Sequence, residues 1–567
     1  ILFWLLGLNQ GDDNLPIEVP LRITRKLRRM HDQRNRGHNN HNLRLRPGST
    51  LLEAFLILCS EHEEGIACFD EHLGSLSYRE LRNAIIAVAI KVSKFSEDRV
   101  GVMMPASIGA FIAYFGILLA GKTPVMMNWS QGLRELRACT KTVEVRRVLT
   151  SQQFIKHLTE VQGFVEYPFD LMYMEDVRKR LSWWEKCRIG LYSKCSVPWL
   201  LRIFGVSGVE SDDTAVILFT SGTEKLPKAV PLTHKNLMEN QEACLKFFDP
   251  NTQDVMLAFL PPFHAYGFNS CGLFPLLMGV HVVFASNPLN PKKLVEFIDD
   301  KKVTFFGSTP VFFDYILKTA KKQNSCLESL RLVVIGGDAL KDTLYEETKK
   351  LQPQIALYQG YGATECSPVI SITTKESPRK SECVGMPIEG MDVLIISKET
   401  HIPVSSGEQG LIVVRGNSVF SGYLGNHEHQ SFVSLGGDQW YLTGDLGHIG
   451  PSGDLFLEGR LSRFVKIGGE MVSLEALESI LHEHFTENQN EDAGSLVVCG
   501  IPGDKVRLCL FTTLATTIHE VNDILKSAET SSIVKISYVH QVESIPILGI
   551  GKPDYVSLNA LAVSLFG

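Results

Sequence analysis

The sequence predicts an α/β protein with a large N-terminal domain of two α/β subdomains and a small β-barrel, followed by a smaller α/β C-terminal domain. Three features of the distribution of apolar residues support this prediction. Apolar, β-branched runs alternate with helical stretches through the middle of the chain, which is typical of parallel sheets. From about Cys383 short strands lie between glycine-rich turns, and after 458–462 the alternating pattern returns.

The first predicted βαβ unit begins at Val100, and no charged residue occurs from there to Gly121. Such a stretch is long enough to cross a bilayer. We interpret it instead as a strand over 100–104, a break at Pro105, a buried helix over 108–120 and, after Lys122, a second strand.

Residues 116–123 read Gly-Ile-Leu-Leu-Ala-Gly-Lys-Thr, which satisfies the Walker A pattern. A Walker A loop follows a strand and opens a helix, so that free backbone N–H groups face the phosphates. This segment ends a predicted helix and precedes a strand. We therefore reject it as a nucleotide site.

Later strands and helices follow the same logic. The apolar runs predict strands at 214–219, 255–260, 303–307 and 332–335, helices from about Lys235 and over 311–320, and barrel strands at 393–396, 411–414 and 455–457.

Composition excludes several classes of protein. The 567 residues are 44% apolar and 21% charged, which excludes disorder and fibrous repeats. The net charge of −7 argues against a nucleic-acid partner. The 12 cysteines include no CxxC pair, so we expect no metal cluster and interpret each cysteine as a small buried hydrophobe. These features predict a cytoplasmic protein.

Residues 1–47 form a predicted basic arm. Nine Arg and Lys residues occur between Leu21 and Arg46 against one acid, Asp32. The arm is either a solvated linker or a surface that contacts anionic lipid at the inner face of the membrane or an acidic protein. The apolar residues 1–8 are either the end of a spanning helix or a core segment.

The strand at 214–219 runs into a polar loop. Residues 219–230 read Phe-Thr-Ser-Gly-Thr-Glu-Lys-Leu-Pro-Lys-Ala-Val, with hydroxyls around a glycine and a lysine after a proline. Hydroxyl and amide donors with a lysine charge suit phosphate oxygens. Alone, the segment is equally a polar surface loop.

More motifs follow in order along the chain. They are Gly-Gly-Asp at 336–338, Gln-Gly-Tyr-Gly-Ala-Thr-Glu at 359–365, Tyr-Leu-Thr-Gly-Asp at 441–445, Gly-Arg at 459–460 and Gly-Ile-Gly-Lys-Pro-Asp at 549–554. In this order the motifs resemble the adenylate-forming superfamily of acyl-CoA synthetases, luciferases and peptide-synthetase adenylation domains. Residues 360–372, 463–475 and 545–554 most resemble the acyl-acyl-carrier-protein synthetase half of the bacterial 2-acylglycerophosphoethanolamine acyltransferase/synthetase.

The resemblance implies an adenylation domain over 48–459 and a mobile C-terminal domain over 460–567, with a hinge at 460–462. It also implies ATP and Mg²⁺ as cofactors. Lys552 would lie between the substrate carboxylate and the α-phosphate, Glu365 would hold Mg²⁺, and Thr364 would contact the α-phosphate.

The remaining implied roles concern the nucleotide and the acyl chain. Tyr361 would stack on adenine beside Gly336 and Gly337, Asp445 would accept the ribose hydroxyls, and Arg460 would add charge near the phosphates. The phosphate loop would include Thr220, Ser221, Gly222, Thr223 and Lys228, and the thioester-forming state would use Lys466, Gly468 and Gly469. His264 either gates the acyl pocket or is a core residue; Phe305, Phe306, Phe312 and Phe313 either line an acyl tunnel or are core.

Two departures concern the phosphate loop and the hinge. Glu224-Lys225 stands where many members have Thr-Gly, and Ala229 stands where they have glycine, so two lost glycines stiffen the loop. Ser462 stands where the hinge usually has Asp or Lys.

The sequence therefore predicts an ATP-dependent fatty acid ligase that transfers the acyl group to acyl carrier protein. One alternative is a long-chain fatty acid–CoA ligase, and another is a catalytically weak lipid-binding or scaffold protein. An acidic carrier protein needs a positive docking face, and the candidates are residues 21–46 and, near the hinge, Arg460, Arg463 and Lys466. Of these we expect Arg463, beside the hinge, to contribute to transfer to the carrier protein.

Overall fold

The computed structural model describes residues 48–567 except 131–132, 163–165, 221–226, 249, 252, 426–430, 468–469, 489–495, 504–505, 529–533 and 549–551. The basic arm predicted at 1–47 lies outside the described residues.

The first part of the chain supplies a six-stranded sheet and the edge of a larger one. Its elements are α1 (Leu51–Glu61), β1 (Ile66–Asp70), β2 (Gly74–Ser77), α2 (Tyr78–Val92), β3 (Arg99–Val102), α3 (Ile108–Leu119), β4 (Thr123–Met126), α4 (Leu133–Thr142), β5 (Arg147–Thr150), α5 (Gln152–Gln162), β6 (Asp170–Tyr173), α6 (Met174–Lys179), α7 (Trp183–Tyr192), α8 (Val197–Ile203), β7 (Thr214–Phe219), β8 (Ala229–Thr233) and α9 (His234–Leu245). The six-stranded order is β6-β5-β3-β4-β7-β8, parallel except for the β7–β8 pair.

The predicted βαβ unit is confirmed. β3 and β4 pair in parallel with Gly101 opposite Val125, and α3 connects them. Ser107 caps the start of α3 by accepting a hydrogen bond from the Ala110 N–H, which is why the chain turns after Pro105. With 12 residues, α3 is about 18 Å long. Among the described residues no helix has the length and apolarity needed to cross a bilayer.

The middle of the chain supplies the strands that position the site. Its elements are β9 (Val255–Ala258), a π-helix (Tyr266–Leu273), α10 (Phe274–Met278), β10 (His281–Phe284), α11 (Pro291–Asp300), β11 (Phe305–Ser308), α12 (Pro310–Gln323), β12 (Leu332–Gly336), α13 (Asp342–Leu351), β13 (Ala356–Gly362), a 3₁₀ turn (Thr364–Cys366) and β14 (Val369–Ile372). The order is β2-β1-β10-β9-β11-β12-β13-β14, and the pairs from β1 to β13 are parallel.

Short antiparallel strands then continue this sheet, as the glycine-rich turns predict. They are β15 (Cys383–Pro387), β16 (Met391–Ile396), β17 (Gly410–Gly416), β18 (Phe432–Leu435), β19 (Asp438–Ile449) and β20 (Leu455–Arg460). β15 joins β14 to β20, and β16, at the far end of the path, contacts β15. This arrangement places β19 and β20 beside the end of β13.

The strands after Leu461 form two small sheets of their own. A 3₁₀ turn (Leu461–Arg463) leads to β21 (Phe464–Ile467), β22 (Glu470–Ser473), α14 (Leu474–Asn488), β23 (Leu496–Ile501), β24 (Arg507–Thr512), α15 (Ile518–Ser527), β25 (Ile536–Gln541) and α16 (Tyr555–Phe566). The large N-terminal and smaller C-terminal α/β domains are therefore those expected from the sequence.

The cysteines follow the prediction only in part. Nine of them are buried, as small apolar side chains should be, but Cys187 and Cys326 are exposed. The prediction was wrong for these two because an isolated cysteine in the sequence does not show which face of an element it occupies.

Candidate active site

A cavity of about 250 Å³ lies at the carboxyl ends of β11, β12 and β13. These strands run in parallel, and parallel sheets bind ligands at this edge. The cavity is lined by nine of the residues that the sequence singles out: Thr220, His264, Gly336, Gly337, Tyr361, Thr364, Glu365, Arg460 and Lys552. Motifs far apart in the sequence therefore meet at one sheet edge.

Other predicted residues lie beside the cavity or outside the described residues. Asp445 contacts two lining residues, and Lys228 closes the base of the polar loop. The residues outside the described part are Ser221, Gly222, Thr223, Gly468 and Gly469, and the side chain of Lys466 is also outside it.

Asp445, in β19, is held by one partner from the adjacent strand β20 and one from β13. β19 and β20 pair with Asp445 opposite Arg460, and Arg460 Nε lies 3.1 Å from Asp445 Oδ1. The Tyr361 hydroxyl donates to Asp445 Oδ2 at 2.5 Å. The Asp445 charge raises the pKa of Arg460, and burial together with that charge raises the pKa of Tyr361. Because a carboxylate has about four lone-pair sites, Asp445 has capacity for ligand hydroxyls as well.

Glu365 is a buried carboxylate in the turn after β13. Its side chain is 7% exposed, and its Oε1 accepts a 2.6 Å hydrogen bond from the Tyr423 hydroxyl. Burial and the Glu365 charge raise the pKa of Tyr423, so that the phenol remains a donor. Magnesium in proteins is typically held by one or two carboxylates and substrate phosphates. A carboxylate fixed at the cavity wall fits this donor set.

The base of the polar loop connects to Glu365 through the same tyrosine. Thr220 N donates to the Lys228 carbonyl at 3.0 Å, and Lys228 N donates to Thr220 Oγ1 at 3.1 Å. The Lys228 ammonium lies 4.6 Å from the centroid of the Tyr423 ring. Ala229, where many related sequences have glycine, is buried in β8 opposite Phe219. A methyl group at this position is therefore accommodated by the strand.

Lys552 enters the cavity from the C-terminal domain. Its Cε lies 3.6 Å from the position that a Cβ at Gly337 would occupy. Gly337 has φ of +87°, a conformation that side chains with a Cβ rarely adopt. Burial, with the nearby Arg460 charge, lowers the pKa of Lys552. The glycine turn after β12 thus leaves room for the Lys552 side chain beside it.

His264 lies in the cavity wall with an unused polar atom. Its Nε2 is buried and has no hydrogen-bond partner among the described residues. Burial, with the charge of Lys552, lowers the pKa of His264 to about 3. The imidazole is therefore neutral near pH 7 and faces the region of Lys552 rather than an ion-pair partner.

The other end of the cavity is apolar. Its lining includes Phe248, Met256, Leu260, Phe274, Phe305 and Phe306. Phe312 and Phe313 belong to the core and are not among the lining residues. Of the two open interpretations of these aromatic pairs, the tunnel wall fits the first pair and the core fits the second.

Tyr266 was missed in the sequence. Its hydroxyl donates to the Val334 carbonyl at 2.8 Å, and a Cβ at Gly307 or Gly336 would lie 2.5 or 3.2 Å from its side chain. The glycine at 336 therefore makes room for this ring. The signal was available, because Tyr266 stands two residues after His264 in an apolar segment.

Tyr423 was also missed, and no sequence signal identified it. It stands between two glycines at 421–425 without a neighbouring charge. Only the fold shows that it contacts Glu365 and Lys228.

Arg463 does not lie on a docking face. It is 5% exposed, bonds to Glu478, donates to the Val498 carbonyl at 3.1 Å and lies 4.1 Å from the Tyr555 ring centroid. The prediction of a docking role for Arg463 was wrong because its guanidinium is buried and bonds to partners inside the C-terminal domain.

Comparison with known proteins agrees with this geometry. The chain matches the family model of AMP-binding enzymes over residues 59–424. It is 25% identical over 444 residues to a long-chain-fatty-acid–CoA ligase of Bacillus subtilis, covering 74% of this chain and 78% of the relative. It is 26% identical over 470 residues to 4-coumarate–CoA ligase 1 of Petroselinum crispum, covering 80% and 82%.

Solved structures show the same fold. ATP-bound MatB from Rhodopseudomonas palustris superposes with a TM-score of 0.74 at 20% identity, covering 92% of this chain and 100% of that one. O-succinylbenzoate coenzyme A synthetase from Bacillus subtilis, in complex with ATP and magnesium, gives 0.72 at 21% identity, with 89% and 98% covered. The family model spans well over half of the sequence, and the chain therefore belongs to the AMP-binding enzymes, whose cofactors are ATP and Mg²⁺.

Proposed function

We propose that this protein joins a fatty acid to the thiol of coenzyme A through an acyl-adenylate. The observation that carries the proposal is the cavity itself, which connects a polar end around Glu365 and Asp445 to an apolar end around Phe305 and Phe306. Lys552, beside Gly337, lines the same cavity, and in this proposal it acts where the two ends meet. A site of this shape would hold an apolar acid and a nucleotide head to head.

In the first half-reaction, a carboxylate oxygen attacks the α-phosphorus of ATP and pyrophosphate leaves. Two anions must approach each other, so positive charge at the meeting point lowers the barrier. Lys552, beside Gly337, supplies that charge, and Arg460 adds to it from the side of Asp445. Magnesium, held by Glu365, would neutralise charge on the phosphates.

The nucleotide is oriented by groups that are already fixed. Asp445 would accept the ribose hydroxyls while Arg460 and Tyr361 hold its carboxylate in place. The Tyr361 ring, fixed through its hydroxyl, would stack on adenine. Thr364 and Thr220, both in the cavity wall, would donate to phosphate oxygens.

In the second half-reaction, the thiolate attacks the acyl carbonyl and AMP leaves. Coenzyme A is our first choice of acceptor because the Bacillus subtilis and Petroselinum crispum relatives, each covered over more than three quarters of its length, are named as CoA ligases. The fatty acid follows from the apolar end of the cavity and from the name of the Bacillus relative.

Acyl carrier protein is the second candidate acceptor. It is favoured by the subgroup motifs at 360–372 and 463–475. The argument from a positive docking face no longer supports it at Arg463, since that side chain is buried.

The test offers both acceptors to the purified full chain with ATP, Mg²⁺ and a fatty acid, at matched acceptor concentration. We expect faster thioester formation with coenzyme A than with carrier protein. If the thioester forms only on carrier protein, acyl carrier protein replaces coenzyme A as the acceptor. Absence of both acyl-AMP and thioester would overturn the ligase and favour the lipid-binding or scaffold alternative.

A further inference from the structure

We propose that α7 and α8 form a docking surface for an anionic lipid bilayer. The surface consists of Trp183, Trp184, Leu191, Trp199 and Ile203, and we call it the Trp surface. These side chains are 66%, 72%, 64%, 63% and 40% exposed. Three of the six tryptophans in the sequence are thus presented to solvent by two consecutive short helices.

The orientation of α7 is fixed from its opposite face. Glu185 is buried and pairs with Lys91 and Lys94 of the α2 region, each at 2.8 Å. Residues three to four or seven apart share one face of a helix. Trp184 and Leu191 are seven apart, so both lie together on an exposed face.

α8 is fixed in the same way. Val197, Leu200 and Leu201 are buried, whereas Trp199 and Ile203, four residues apart, are exposed. Both helices therefore bury one face against the domain and present an apolar, aromatic face outward. The Trp183 and Trp184 rings contact each other, with centroids 4.6 Å apart. Exposed apolar groups of this kind mark binding surfaces.

Charge identifies the partner. Residues 179–203 contain six basic residues and one acid, Glu185, in a chain whose net charge is −7. The acid is buried, whereas Lys186, Arg188, Lys194 and Arg202 are exposed on α7, on α8 and in the turn between them. Exposed indoles interleaved with lysine and arginine are the combination that binds at the headgroup level of anionic bilayers.

The same charge argues against a second copy of this chain. A symmetric dimer through the Trp surface would bring two positive faces together, and like charges across an interface oppose association. Docking on a bilayer goes beyond the proposed ligase activity, although it would place the apolar cavity near a reservoir of fatty acid.

The test measures sedimentation of the full chain with vesicles of phosphatidylcholine and about one third phosphatidylglycerol, without ATP or substrate. We expect Trp183→Ala/Trp184→Ala/Trp199→Ala to lower the vesicle partition coefficient by about tenfold or more. Leu289→Ala, an exposed apolar side chain outside the Trp surface, is the matched control and should bind like the wild type.

A second variant separates charge from apolar insertion. Lys186→Glu/Arg188→Glu should weaken binding to the anionic vesicles by about tenfold and leave the weaker binding to pure phosphatidylcholine unchanged. Brominated lipid should quench tryptophan fluorescence in the wild type and much less in the triple variant.

Equal vesicle binding by the wild type and the triple variant would overturn the proposal and assign any binding to another segment, such as residues 1–47. So would a wild-type dimer that becomes a monomer in the triple variant, since the surface would then join two copies. The proposal would also be overturned if the wild type did not bind vesicles but bound an acidic protein through the Trp surface. Because no outcome depends on turnover, failure here leaves the ligase proposal untouched.

Discussion

The two ends of the cavity differ in how their polar groups are satisfied. We call the polar end around Glu365 and Asp445 the nucleotide end, and the apolar end around Phe305 and Phe306 the acyl end, after the substrates proposed for them. At the nucleotide end, Asp445 accepts from Tyr361 and pairs with Arg460, and Glu365 accepts from Tyr423. Where this end meets the acyl end, His264 Nε2 has no partner among the described residues and the pKa of Lys552 is lowered by burial.

The difference shows which part of the site is complete within one domain. Within the described part of the chain, the partners of Asp445 and Glu365 named above all come from residues up to Arg460. The meeting point instead depends on Lys552, which follows the last described strand of the C-terminal domain. The nucleotide end is preorganised, whereas the point where the two ends meet is completed by Lys552 from another domain. This arrangement suits a reaction in which ATP binds first and the lysine charge acts in one step only.

The largest expected effect is at the meeting point. Lys552→Ala should lower acyl-AMP formation by about a hundredfold or more, because it removes the charge between two anions. Thioester formation from preformed acyl-AMP should stay near the wild-type rate. Pyrophosphate exchange measures the first half-reaction, and product analysis with synthetic acyl-AMP measures the second.

The matched control for this variant is Lys526→Ala, which removes an exposed lysine from α15 of the same domain. It should leave both half-reactions unchanged. Equal losses in the two half-reactions of Lys552→Ala would contradict the contrast between the two ends.

The next largest effect is at the nucleotide end. Asp445→Ala should raise the KM for ATP by about tenfold or more, since it removes the ribose acceptor and leaves Arg460 without its carboxylate. The KM for the fatty acid should not change. Tyr361→Phe, which removes one donor to Asp445 but keeps the ring, should have a smaller effect in steady-state kinetics. An unchanged KM for ATP in Asp445→Ala would place the nucleotide elsewhere.

Much of the candidate site and of the fold around it is predictable from the sequence. The order of the motifs along the chain resembles that of the adenylate-forming superfamily, and this resemblance implied that Gly336, Glu365 and Lys228 belong to one nucleotide site. The βαβ unit around α3 followed from the position of Pro105 and from the length of the uncharged run.

What the sequence does not contain is the identity of long-range partners. Arg463 is followed by Glu475 and Glu478, but only the packing of α14 against β23 shows that these acids enclose its guanidinium. Tyr423 likewise gains its role from long-range contacts, because the Phe420 N–H donates to the Glu365 carbonyl at 2.8 Å and the Leu424 N–H donates to the Ala229 carbonyl at 3.0 Å. The aromatic pairs give the same lesson, because Phe305 lies in β11 and lines the cavity, whereas Phe312 lies in α12 and packs in the core.

His264 should show a moderate effect on the acyl side. His264→Gln should change the KM for the fatty acid about threefold to tenfold and leave the KM for ATP unchanged. Because the pKa of His264 is about 3, the imidazole is neutral throughout the range from pH 6 to 8. The variant should therefore keep the shape of the wild-type pH–rate profile in that range, and a profile that flattens would show that His264 titrates during turnover.

The same lowered pKa predicts a change in acid stability. His264 prefers the neutral form in the folded protein, so its contribution to the free energy of unfolding is fully present above the ordinary pKa of 6.5 and is lost as the pH falls from there toward 3. At pH 5 the loss is about 1–2 kcal/mol. Thermal unfolding of His264→Gln between pH 7 and 5 should be less sensitive to acid than that of the wild type.

The smallest expected effect concerns the Walker-like segment, which would compete with the nucleotide end if it bound phosphate. The Gly121 N–H donates to the Leu118 carbonyl at 2.9 Å, and the Lys122 N–H donates to the Ile117 carbonyl at 3.1 Å. These amides close the end of α3, and the Lys122 ammonium bonds to the Glu97 carbonyl at 2.5 Å. A phosphate would meet helix carbonyls here rather than free donors.

Lys122→Ala should therefore lower stability by less than about 1 kcal/mol and leave the KM for ATP and the turnover rate at wild-type values. A large rise in that KM with an unchanged melting curve would mean that phosphate binds at the end of α3, and the nucleotide end around Asp445 would lose its assignment.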